Sequence, residues 1–242
     1  MQKTKPVFPI LLFILLGLVM AVPAQAQRNE RGSGKVVEQD RKLSDFTAIS
    51  VSSGIDLYLT QGNNYEVVII TDDNIQDNII TKVRGKELHV GVEGSLNQVK
   101  QLEVRVTLPT LKALQTSGGS DVYGQNTLRF DDLEIRTSGG SDVELVVMGK
   151  TLRVASSGGS DLVLSGEVDM LEASASGGSD IKAKDLVAST CRVAASGGAD
   201  AWVHAKDKAE LSATGASDIH LYGRPALLEQ HSSSGADIHR MR

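Results

Sequence analysis

The chain has 242 residues, 25 Lys and Arg against 30 Asp and Glu, and a single cysteine. A net charge of −5 without a basic run excludes the electrostatic footprint of a nucleic-acid binder, and one cysteine excludes an intramolecular disulfide. Only 4% of the residues are aromatic, too few for an evident platform of sugar-stacking rings.

Residues 1–26 read as an export signal. Lys3 and Lys5 form a short basic start, Phe8 to Val22 is mostly apolar, and Ala24 and Ala26 supply small residues around a cleavage site. The apolar run is short for a membrane span and is interrupted by Pro9. No cysteine stands at the cleavage site, so a lipidated N-terminus is not expected. Cleavage leaves 242 − 26 = 216 residues with 23 basic and 30 acidic side chains. The expectation is an exported protein of the periplasm or cell surface, with no transmembrane anchor after cleavage. Residues 27–43, QRNERGSGKVVEQDRKL, are polar without an apolar period and read as a flexible linker.

A single β-solenoid domain is expected over residues 44–240, with diverged N-terminal coils over 44–110 and regular Gly-turn repeats over 111–240. In the diverged part, SSGID carries a Ser-Gly-x-Asp turn at Asp56, and Val67 to Ile70 reads as a buried strand. DDNIQDNII reads as one helical turn, while KELHVGV and LEVRVTLP alternate as strands do.

From residue 116 onward one phrase returns: TSGGSDV, TSGGSDV, SSGGSDL, ASGGSDI, ASGGADA, ATGASDI, SSGADI. Its acids are Asp121, Asp142, Asp161, Asp180, Asp200, Asp218 and Asp237, at intervals of 21, 19, 19, 20, 18 and 19 residues. Such a period is too short for two helices and their turns. One residue after each Asp stand Val122, Val143, Leu162, Ile181, Ala201, Ile219 and Ile238, and seven before stand Leu114, Ile135, Val154, Ala173, Val193 and Leu211. Five before is a small-residue column, Thr116, Thr137, Ser156, Ala175, Ala195, Ala213 and Ser232. Alternation on both sides of a Gly turn is strand periodicity. The same residue type at the same offset in every unit is what a parallel β-solenoid requires and a sandwich of hairpins does not. About ten coils are expected in all.

The opening DFTAISVSSGIDLYLTQG, the central VTLPTLKALQTSGGSDV and the closing GASDIHLYGRP resemble the family catalogued as putative autotransporter adhesin, head GIN domain. The resemblance covers about residues 44–240. It implies a right-handed parallel β-helix of pectin-lyase-like shape, no catalytic set, no cofactor, and a role in cell adhesion. Here most turns read Ser-Gly-Gly-Ser-Asp where the family has Gly-Ser-Gly.

Three chemistries are open to the repeated Asp. As a structural turn residue, each of Asp56, Asp121, Asp142, Asp161, Asp180, Asp200, Asp218 and Asp237 would accept backbone N–H groups of its own turn. As a calcium ladder, with Asp142, Asp161 and Asp180 as the ligands, one Asp per coil falls well short of six to eight oxygens. The turn reading is therefore preferred, and no metal is expected. As a catalytic acid, none of them has a distinctive partner.

Two residues after each Asp the chain should face outward, and there Lys182, Trp202, His220 and His239 would be neighbours on successive coils. They are the candidate binding residues, for a glycan or a protein of the envelope. The pair His220 and His239 lacks further obvious metal ligands. Cys191, in the column of Leu133, Leu152 and Leu171, is expected to be a buried core thiol. The preferred function is a non-enzymatic exported binding scaffold. A carbohydrate-active enzyme on the same fold is the alternative, as is an envelope component that self-associates through the solenoid's ends.

Overall fold

A computed structural model describes residues 29–233 and 235–241, so the expected signal at 1–26 lies outside the described residues. Within them every regular element is a strand except one 3-10 turn at Gln76–Asn78, where a helical turn is expected. In chain order the early strands are β1 (Asn29–Arg31), β2 (Val36–Asp40), β3 (Ala48–Val51), β4 (Asp56–Gln61), β5 (Glu66–Asp72), β6 (Ile79–Arg84), β7 (Glu87–Val92), β8 (Ser95–Asn97) and β9 (Leu102–Leu108). The repeats follow as β10 (Ala113–Thr116), β11 (Val122–Gly124), β12 (Leu128–Ser138), β13 (Val143–Gly158), β14 (Asp161–Gly177), β15 (Asp180–Gly197), β16 (Asp200–Gly215), β17 (Asp218–Tyr222), β18 (Leu227–Ser232) and β19 (Asp237–Arg240). No helix among them is long and apolar enough to cross a membrane.

From β10 to β19 the pairing is parallel throughout, and residues of equal offset lie side by side: Val143 on Leu162, Leu162 on Ile181, Ile181 on Ala201, Ala201 on Ile219. This is a β-solenoid of about seven regular turns, each of about 19 residues, rather than ten. The apolar columns face a continuous core in which Leu152, Leu162, Leu171, Ile181 and Cys191 are fully buried. A coil that presents one apolar row to each neighbour is stable only as part of the stack, since its own core is one residue deep.

The corner is built from small groups. The Ser before the Asp is buried in most coils, at Ser120, Ser141, Ser160, Ser179 and Ser217. Thr116 and Thr137, five before the Asp, donate their hydroxyls to the carbonyls of Ser120 and Ser141 at 2.7 and 2.9 Å. In the later coils the Ser hydroxyl closes its own turn instead, as Ser179 does on Ser176 O at 3.0 Å. The small-residue column exists because this corner is both buried and crossed by these bonds.

The N-terminal part departs from sequence order. β3 lies between β7 and β10, and β4 lies between β9 and β11. The chain therefore lays down β3 and β4, builds β7 and β9 on their outer side, and crosses back to start the regular coils on the inner side. Antiparallel strands then close this end: β6 covers β7, β5 covers β9 and β2 covers β5.

The expectation of a flexible linker over 27–43 is corrected by this arrangement for residues 29–43, the first two lying outside the described residues. β2 occupies Val36–Asp40 in register with β5, and β1 pairs with β8. The buried Asp72 carboxylate accepts the backbone N–H of Gly34, and that of Lys100 at 2.7 Å. Gln76 donates to Val37 O at 3.0 Å. The segment is polar because main-chain and side-chain hydrogen bonds hold it, not a buried apolar face.

Candidate binding face

Strand alternation sends the Asp column and the column two residues later to the same outer face. In register that second column runs Arg105, Tyr58, Tyr123, Glu144, Val163, Lys182, Trp202, His220, His239. The structure thus brings Lys182, Trp202, His220 and His239 together on successive coils. Trp202 and His220 have parallel rings, 7° apart in plane with centroids 5.1 Å apart, and His220 and His239 repeat this at 5.0 Å and 19°. Their planes are nearly parallel and their centroids about one coil step apart, so the three rings form one stack along the rod.

Two residues further on, His204 pairs with Tyr222 on the same face. At the far end Tyr58 lies against Tyr123, centroids 5.4 Å apart. Of the one Trp and four Tyr, four lie on this face, Tyr58 and Tyr123 towards one end and Trp202 and Tyr222 towards the other, while Tyr65 packs on Phe46 at 5.0 Å. Composition alone hid this, because the relevant signal is the shared offset from the Asp and not the count.

The Asp column is a ladder between coils, which corrects the expectation of bonds within each turn. The backbone N–H of Asp142 donates to the Asp121 carboxylate at 3.0 Å, that of Asp161 to Asp142 at 3.2 Å, that of Asp218 to Asp200 at 3.0 Å and that of Asp237 to Asp218 at 3.3 Å. These four carboxylates tie their coils to the next, while the N–H groups of Asp180 and Asp200 go to Ser160 O and Ser179 O, and charge-assisted bonds of this kind offset the repulsion between stacked acids. Between Asp161 and Asp180 the chain supplies its own cation. Lys182 Nζ lies 2.7 Å from Asp161 and 3.3 Å from Asp180, where a calcium ion would have to sit. The bond to Asp161 is the main cause that raises the Lys182 pKa, against the opposing effect of partial burial.

Asp56 sits less comfortably. It lies in register with Glu103, near Asp121, and partial burial first and those two acids next raise its pKa. Glu103 is nearly buried and committed to Arg105 at 2.6 Å and Gln101 at 2.9 Å. A carboxyl with a raised folded-state pKa contributes stability only while protonated, and loses that contribution as pH rises through the folded value. Asp56→Asn should therefore raise the melting temperature at pH 7, by the equivalent of less than about 1 kcal/mol after solvent screening. The gain should vanish below about pH 4, where both forms are neutral. Thermal melts of the two proteins at pH 3 and pH 7 check it, and a gain that persists at pH 3 would remove the electrostatic explanation.

A second feature, missed by sequence reasoning, lies before the corner. Glu134, Arg153, Glu172, Arg192, Glu210 and Glu229 form one outward column, in register coil by coil. Arg153 and Arg192 both reach Glu172, at 2.9 and 3.3 Å, and Arg192 reaches Glu210 at 2.9 Å. The Glu210 pKa is lowered, chiefly by Lys208 and then by Arg192. Beside this tall column the next outward one is short, Ser174, Ala194 and Ser212, and the mismatch leaves an open groove of about 700 Å³. Another depression among the described residues, of about 670 Å³, is lined by Glu38, Tyr58, Glu103 and Arg105; in the first groove most of the charges are already paired with one another.

Cys191 is buried as expected, and burial pushes its thiol up to about 12, so it is no nucleophile at neutral pH.

Similar folds are known. A crystal structure of a putative adhesin from Bacteroides fragilis matches with a TM-score of 0.84 at 24% identity, over 88% of this chain and 100% of that one. A putative adhesin from Parabacteroides merdae matches at 0.74 and 19%, over 88% and 99%. A putative lipid binding protein from Parabacteroides distasonis matches at 0.73 and 20%, over 89% and 100%. No curated protein matches. The family model described as putative auto-transporter adhesin, head GIN domain, matches residues 45–225, and the chain belongs to that family.

Proposed function

We propose that the protein is an exported, non-enzymatic adhesin-type scaffold that binds an extended glycan along the face of Lys182, Trp202, His220 and His239. The observation that carries this reading is the stack of Trp202, His220 and His239 at coil spacing, flanked by the Asp200, Asp218 and Asp237 carboxylates. Ring faces and edges beside carboxylates suit the apolar faces and hydroxyls of sugars. A ligand that is itself repetitive can use several such contacts at once, which multiplies weak affinities. The adhesin descriptions of the family and of two of the solved relatives support a binding role.

The enzyme reading needs an acid in a cleft tuned away from its ordinary range. Asp56 is the one acid of the outward column pushed upward among the described residues, and its neighbour Glu103 is held by Arg105. Its other acidic neighbour, Asp121, is engaged by the backbone N–H of Asp142 at 3.0 Å.

The test is a binding screen of the purified protein against bacterial and host polysaccharides, with Trp202→Ala and Arg192→Ala as variants. Trp202→Ala should weaken capture by on the order of tenfold or more, as removal of a central aromatic anchor does. Arg192→Ala, in the groove before the corner, should leave capture unchanged. The reverse pattern would move the site to the groove, and shortening of a bound polysaccharide with time would restore the enzyme reading. Capture of no polysaccharide at all would end the glycan reading.

A further inference from the structure

We propose that the last two coils hold a divalent metal ion of the zinc class, bound by Asp218, Asp237 and His239. The inference does not depend on the glycan reading.

The tripeptide Asp-Ile-His occurs twice, at 218–220 and 237–239, and the two copies are in register residue for residue. Alternation sends both isoleucines inward, where Ile219 is fully buried, and leaves two carboxylates and two imidazoles at the corners of one outward patch. One donor atom from each of Asp218, Asp237 and His239 lies within 4.8 Å of the other two. Asp237 and His239 are exposed, so modest side-chain rotation brings all three to the roughly 2.0–2.2 Å that zinc takes with oxygen and nitrogen.

An independent observation points to the same place. At the fourth corner His220 stacks on His239 at 5.0 Å, and its Nδ1 is buried with no hydrogen-bond partner among the described residues. A buried imidazole nitrogen left unpaired is costly; His220 is not among the three donors within 4.8 Å of one another, so a metal-bound water and not the ion itself would meet it. Charge separates this site from the rest of the ladder. Asp161 and Asp180 are neutralised by Lys182, while the outward column beyond Lys182 is Trp202, His220 and His239, with no lysine or arginine. The donor set of two carboxylates and an imidazole suits zinc and its transition-metal neighbours. Calcium prefers six to eight oxygens and gains little from a ring nitrogen.

Isothermal titration of the purified protein with zinc chloride, with calcium chloride as the comparison, tests the site. The expected result is one saturable zinc site, accompanied by a rise in melting temperature because the ion binds only the folded chain. His239→Ala and Asp237→Asn should each weaken binding by at least about tenfold, whereas Asp161→Asn should not change it. Both weakening variants lie on the exposed last strand. A spectroscopic check on the unsubstituted chain makes the result independent of their folding: zinc should shift the ring-proton resonances of His239 and leave those of His89 in place. Absence of zinc uptake, undiminished zinc affinity in both variants, an equal response to calcium, or unmoved His239 resonances would each overturn the proposal.

Discussion

Gly166→Ala should lower the melting temperature more than any other single added methyl in the repeats. Gly166 adopts φ +117°, and a Cβ built there would stand 2.0 Å from Val147 O and 3.0 Å from its carbonyl carbon. Those atoms belong to the neighbouring coil, where Val147 is in register with Gly166 and has a fully buried side chain, so the contact cannot be relieved by turning a side chain. Backbone strain and overpacking each cost about 1–3 kcal/mol, so the combined loss should be about 3 kcal/mol or more. For a domain of this size that corresponds to a fall of roughly 10 °C. Gly159→Ala is the control. Gly159 is not in the left-handed region and has no atom within 4 Å of its Cβ position, so this variant should melt with the parent. Gly177→Ala should fall between them, with φ +78° and Gly158 O at 3.1 Å. Three equal melting temperatures would show that the coils shift freely against each other, against the rigid stack described above.

The same pair of glycines shows what a sequence can carry. Gly158 and Gly159 are adjacent letters in one repeated phrase, yet only Gly158 has a positive φ, with its Cβ position 3.1 Å from Gly139 N. The phrase announces a corner without saying which glycine touches the next coil. Offsets from the Asp did reveal which side chains point inward, because alternation is local and survives any stacking order. They placed Leu171 and Cys191 in one core column and Trp202 and His220 side by side outside.

Stacking order is a different matter. Nothing in KELHVGV or LEVRVTLP says that β7 and β9 lie outside β3 and β4, since each coil offers similar apolar rows on both sides. The strand Val36–Asp40 was illegible for the opposite reason. It covers an edge through its backbone and buries no side chain fully, so it has no apolar period to read. The Asp column was recognised as structural, but its hydrogen-bond partner lies 18 to 21 residues away, a separation that only the register supplies. The Asp-Ile-His pair was visible as letters. Its meaning needed Asp218 and Asp237 to be neighbours on the same face as His239.

Leu171→Ala is expected to open the middle of the rod, and the single thiol can report it. Leu171 lies in register between Leu152 and Cys191, and all three are fully buried. The substitution removes three carbons from a column in which each coil contributes one side chain, so neighbours can close the gap only by shifting whole coils. A loss of about 2–5 kcal/mol follows. Because each coil contacts only the next, the loss should be felt first as local separation around the cavity and not as uniform loosening. Cys191, with its thiol pushed up to about 12, reacts with a disulfide reagent at neutral pH only when that separation exposes it. If opening and closing are faster than labelling, the rate tracks the free energy of opening, and a loss near the middle of that range accelerates it by on the order of a hundredfold. Leu114→Ala, an equally buried leucine several coils away, should destabilise the protein by a similar amount while accelerating Cys191 labelling far less. Equal acceleration by the two variants would mean that the solenoid opens as one cooperative unit.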